Sequence, residues 1–218
     1  MGDDVDGGTE REAPRVRDMP APRKNESAAG GAMQRLLAWP YRAILAFLIW
    51  TGVRPWQLTL LSPVFIMLTG WQIVVGNWLA AGLLLIVGSV LDVFDGSVAR
   101  HRGEEGRSGA FMDSVLDRVS DMILFSSLFW NLASQGERLQ AVLALLTLVV
   151  SLGVSQIRAE AEAVGIDLTE GLFQRLERML ALMVGLLIPG MMFPALIALA
   201  ALGVFTVLQR GFTALSRA

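Results

Sequence analysis

The chain reads as an all-α polytopic membrane protein, with six transmembrane helices behind an N-terminal interfacial amphipathic helix. Three observations predict this. Hydrophobic residues make up 54% of the 218 and charged residues only 17%, a balance more apolar than soluble domains show. The apolar residues gather into long uncharged runs, 37 residues between Arg54 and Asp92 and 31 after Arg178, each long enough for more than one span of about 20 residues. Lysine and arginine collect between the runs rather than within them.

Residues 1–32 are rich in Gly, Pro, Ala and charge, hold seven acids against five bases, and contain no apolar run. They read as a disordered cytoplasmic tail, neither signal peptide nor domain. From Met33 the chain turns apolar, but the uncharged stretch Ala43 to Val53 is eleven residues, roughly half of the ~20 that a span needs. Arg35 and Arg42 share a face, with Trp39, Tyr41 and Trp50 close by. Residues 33–53 therefore read as an amphipathic helix lying in the interface.

Residues 54–218 read as the transmembrane catalytic domain. The 37-residue run breaks at Gly76-Asn77 into spans near 56–75 and 78–99. The third runs from about 109 to 133, the fourth from 139 to 157. The last run breaks at Pro189-Gly190 and Pro194 into spans near 171–189 and 194–213. Basic residues crowd the tail, the 100–107 loop, the 158–178 connection and the C-terminus, leaving Arg138 opposite. Both termini are thus expected on the cytoplasmic side of the inner membrane. Net charge is −2; it names no partner, and no nucleic acid is expected. With no cysteine and one histidine, disulfides, thiolate chemistry, a zinc site and a Ser-His-Asp triad are excluded.

The chemistry lies in four acids beside or inside these apolar runs: Asp92 and Asp95, then Asp113 and Asp117. Carboxylates are costly at such positions and mark function. Spacings of three and four residues point each pair to one side of a helix. Two such helices facing one another make an oxygen-rich box for divalent metal. Asp95 precedes Arg102 by seven residues and Asp113 follows Arg107 by six, which puts both pairs on the order of 10 Å beneath the loop, near the membrane boundary.

The full run, D-x2-D-G-x2-A-R-x8-G-x3-D-x3-D from Asp92 to Asp117, resembles the signature of the CDP-alcohol phosphotransferases at every fixed position. The resemblance implies transfer of a substituted phosphate from a CDP-linked lipid such as CDP-diacylglycerol to a small polar alcohol, releasing CMP, in phospholipid biosynthesis. It implies that Asp92, Asp95, Asp113 and Asp117 bind metal, with Asp117 also the catalytic base, and that Gly96, Ala99, Arg100 and Gly109 bind nucleotide. Hard oxygen ligands favour magnesium or manganese, as a pair of ions. A homodimer is implied by the resemblance alone.

The stretch Ser155 to Ala163, followed by Gly171-x3-Arg175-x-Glu177-Arg178, is similar to the corresponding part of phosphatidylinositol phosphate synthases and their archaeal relatives. Arg158, Arg175 and Arg178 are the candidate acceptor pocket, and inositol phosphate or glycerol phosphate the leading acceptors. Two residues depart from that pattern. Glu160 stands where an arginine is usual, and its charge would repel a phosphorylated acceptor. Trp56 replaces the asparagine of a Thr-Pro-Asn that commonly opens the first span. Asp121, continuing the stripe of Asp113 and Asp117, is expected to pair with Arg118 or Arg100. Two rivals are weighed beside the enzyme: a cation channel or transporter, which predicts acids near the midplane, and a non-catalytic relative that binds nucleotide-lipid without turnover.

Overall fold

The computed structural model describes Met19 and residues 28–104, 106–166 and 174–217, with α1 side chains from Ala38 onward. Among them are seven helices and no strand: α1 (Ala28–Trp50), α2 (Pro55–Val74), α3 (Trp78–Arg102), α4 (Arg107–Ser134), α5 (Arg138–Ala163), α6 (Arg175–Leu187) and α7 (Met192–Arg217). The six helices after α1 stand where the uncharged runs predict spans. Four of them, α2, α3, α5 and α7, are long and apolar enough to cross a membrane. The other two differ for separate reasons. α4 carries Asp113, Asp117, Arg118 and Asp121 within its length, and α6 has 13 residues, a rise of about 20 Å against an apolar core of about 30 Å.

Some boundaries depart from expectation. α1 begins at Ala28, inside the predicted tail and just beyond its last charge, Glu26. The rest of the tail lies outside the described residues except Met19, which is buried against α1 and its neighbours. α5 runs six residues past the expected end at 157. Its charged extension is helix-compatible, since Arg158 pairs with Glu162 and Gln156 donates to Glu160, both one turn apart at 2.7 Å. Residues 171–173 of the expected fifth span lie outside the described residues.

The packing order explains the site. α2 packs on α3 and α4, α4 on α5, α5 on α7, α7 on α6 and α6 on α3, closing a ring of six helices. Consecutive helices α3 and α4 therefore flank α2 without packing on each other; among the described residues their Cα atoms stay more than 8 Å apart. Elsewhere helices meet through small residues. A Cβ at Gly70 would lie 2.8 Å from both Ile123 Cγ2 and Ser127 Oγ of α4, and one at Gly82 2.5 Å from Leu187 Cδ2 of α6. Such close approach is how helices gain packing energy where lipid supplies no hydrophobic drive. The main core holds Ile66, Leu85, Leu124, Phe125, Leu128 and Leu182, all under 2% exposed.

Candidate active site

Because α3 descends into the ring while α4 leaves it on the far side of the loop, the acids of the two helices meet in the gap. Carboxylate oxygens of Asp92, Asp113 and Asp117 all come within 4.8 Å of one another. Asp113 is exposed and the other two half-buried, so the group is open to ligand from one side. Three hard oxygen donors at this spacing fit a divalent cation of the magnesium or manganese type. Asp95 stands apart from the trio: it is buried, and its Oδ1 accepts the N–H of Gly96.

No neighbouring helix closes on the motif's two glycines. A Cβ at Gly109 would meet nothing within 4 Å, and one at Gly96 only the side chain of Arg100, at 3.4 Å. Neither glycine brings its Cβ position within 4 Å of a neighbouring helix. Ala99 is half-buried on the last turn of α3, its carbonyl accepting the Glu104 N–H at 3.0 Å. Arg100 is exposed, with Nη2 donating to Ser97 Oγ at 3.1 Å.

α6 adds the cations. Arg175 Nη1 donates to Asp92 Oδ2 at 2.8 Å and also contacts Asp117 Oδ1, joining the acids of α3 and α4. One turn further along, Arg178 Nη2 donates to Asp121 Oδ2 at 3.0 Å, and Ser151 Oγ of α5 donates to the same oxygen. Asp121 is 2% exposed. The expected pairing of Asp121 with Arg118 or Arg100 is thus corrected: Arg118 donates to Ser114 O on its own helix, while Asp121 lies a turn deeper than Asp117, where a buried carboxylate takes the buried guanidinium at its own depth. Arg158 is exposed at the end of α5 and pairs with Glu162. The three candidate acceptor arginines accordingly have three different partners, and Arg175 alone touches the clustered acids.

A recess of about 710 Å³, bordered by Trp78, Leu132, Gln135, Glu137, Gln140 and Phe193, lies at the opposite end of the bundle and includes none of the four motif acids.

Residues 53–209 match the family described as CDP-alcohol phosphatidyltransferase. The chain belongs to this family. It is accordingly a phosphatidyltransferase, and the channel and non-catalytic readings give way. Among its relatives, the phosphatidylinositol phosphate synthase of Corynebacterium glutamicum is 36% identical over 166 residues, 72% of this chain and 76% of that protein. The archaetidylinositol phosphate synthase of Methanothermobacter thermautotrophicus is 38% identical over 140 residues, 62% of this chain and 69% of that one. The crystal structure of the Mycobacterium tuberculosis phosphatidylinositol phosphate synthase with CDP-DAG bound superposes with a TM-score of 0.72 at 28% identity, covering 79% of this chain and 92% of the other. The same mycobacterial enzyme in complex with manganese and citrate matches equally, at 0.72 and 28%, over 79% and 87%. For a CDP-alcohol phosphatidyltransferase the features missed in the sequence, Ser151 and the Asp121–Arg178 pair, left only the stripe of Asp113, Asp117 and Asp121 as a signal.

Proposed function

We propose that this phosphatidyltransferase moves the phosphatidyl group of CDP-diacylglycerol onto a phosphorylated small alcohol, inositol phosphate foremost, at a divalent-metal site facing the cytoplasm. The carrying observation is the convergence of Asp92, Asp113 and Asp117 from α3 and α4 to within 4.8 Å, with the Arg175 guanidinium reaching the same place. In this reading all six helices after α1 span the inner membrane, both termini are cytoplasmic, and the protein works as a homodimer.

Asp92, Asp95, Asp113 and Asp117 would hold magnesium or manganese, as a pair of ions. Once bound, such ions supply neutralisation of the diphosphate and polarisation of the attacking hydroxyl. The chain does the rest. Gly96 and Gly109 let the nucleotide approach the backbone, Ala99 keeps the next turn low, and Arg100 pairs with the diphosphate. The acceptor hydroxyl attacks the lipid-side phosphorus, its proton passes to the Asp117 carboxylate, and the bond from that phosphorus to the bridging oxygen breaks, so that CMP leaves with the electron pair. Arg175 receives the acceptor phosphate, with Arg158 at the rim and Arg178 anchoring α6. The inositol phosphate in the names of both relatives supports a phosphorylated acceptor, and Glu160, exposed and accepting from Gln156 along its own helix, is engaged away from Arg175.

The test is incubation of purified protein with CDP-diacylglycerol, magnesium or manganese and single alcohols, reading CMP release and the mass of the lipid product. CMP release that requires inositol phosphate and is lost in chelator is expected. Turnover only with an unphosphorylated alcohol would remove Arg175 from the acceptor site, and no turnover with any acceptor would remove the donor assignment.

A further inference from the structure

The chain has a single tyrosine, and α1 sets it against the motif helix. Tyr41 Oη donates to Ser97 Oγ at 2.7 Å, and its ring stacks on Phe94 with centroids 5.1 Å apart and planes inclined by 21°. Ser97 is 3% exposed and its hydroxyl is fully engaged. It donates to Val93 O at 2.8 Å and accepts from Tyr41 and from Arg100 Nη2. Two hydrogen bonds thus run from α1 through Ser97 to the exposed guanidinium beside Gly96.

An exposed arginine samples many rotamers, and binding an anion with it costs the ordering of that side chain. A guanidinium already held by one nitrogen keeps its remaining donors in a fixed plane for phosphate. We propose that Tyr41 and Ser97 are positioning residues for the CDP-lipid: they hold Arg100 ready for the diphosphate and make donor affinity depend on the seating of α1. The proposal rests on the reading of Arg100 as the diphosphate contact. The apolar contacts of α1, with Leu45 and Ala46 against Leu58, Phe94 and Val98, hold the helix without the hydroxyl, and a phenylalanine at 41 would keep the ring stack. What the tyrosine oxygen adds is the bond to Ser97.

Initial rates of CMP release by the full chain in vesicles containing CDP-diacylglycerol test this. Tyr41→Phe should raise the KM for donor about fivefold, the worth of one hydrogen bond, with kcat within about twofold and the acceptor KM and melting temperature unchanged. Ser97→Ala should do the same. Added to Arg100→Ala, Tyr41→Phe should have no further effect, since groups acting through one another are not additive. An unchanged donor KM in both single variants would overturn the relay, as would a full fivefold effect of Tyr41→Phe in the Arg100→Ala background, or a lowered melting temperature that accounts for the loss. If the wild type turns over CDP-diacylglycerol, these outcomes sink the relay alone; a wild type that neither binds nor uses this donor sinks the functional reading beneath it.

Discussion

Glycine does opposite work at the two ends of α3 and in the helices beside it. Towards the far end from the acids, a Cβ on Gly82 would press into Leu187, and one on Gly70 of α2 into Ile123 and Ser127; there the missing side chain is filled by a neighbouring helix. Near the acids, a Cβ on Gly109 would meet nothing within 4 Å and one on Gly96 only the Arg100 side chain of its own helix. The first set is explained by packing within the chain, and the second is not. That contrast separates the packed half of the bundle from the half that carries the acids, where the proposed nucleotide site lies.

The acids give the largest effect. Asp113→Asn or Asp117→Asn is expected to drop CMP release to background while the melting temperature stays near that of the wild type, because the gap they face contains no packed core to lose. Unfolding of either variant, seen as an early melt in detergent, would make the acids structural and erase the distinction between the two halves.

Next comes the pair of arginines on α6. Arg178→Met leaves Asp121 buried with the Ser151 hydroxyl donating to it but no guanidinium, and breaking a buried ion pair costs about 3–5 kcal/mol; a sharply lowered melting temperature is expected. Arg175→Met removes a cation from acids that remain accessible to ions, so the stability change should be small and the KM for a phosphorylated acceptor should rise. Equal melting temperatures for the two variants would show that the depth of the pair does not matter.

Much of this was legible in the chain. The uncharged runs place six helices within a few residues because lipid-facing backbone has little choice but helix, and the four acids are recognisable because charge in such a segment is expensive. The misplaced ends are where that constraint relaxes: residues 158–163 continue α5 through charged residues that pair along the helix. What the sequence hid depends on which helices become neighbours. Arg175 reaches Asp92 across 83 positions and Tyr41 reaches Ser97 across 56, distances set by the closing of the ring and not by any local spacing. The same applies to Asp121, whose stripe was visible but whose partner on α6 was not.

The glycines supply the finest test. Gly70→Val should cost about 1–3 kcal/mol through overpacking against the β-branched Ile123, read as a lower melting temperature with the KM for CDP-diacylglycerol unchanged in the folded fraction. Gly109→Ala should do the reverse. Alanine favours helix over glycine by up to about 1 kcal/mol and its methyl meets no protein atom within 4 Å, so the melting temperature should hold or rise while donor affinity falls. Donor affinity left intact by Gly109→Ala would mean that the open space beside α4 is not where the nucleotide lies, and would return Gly109 to the ordinary glycines of a membrane helix.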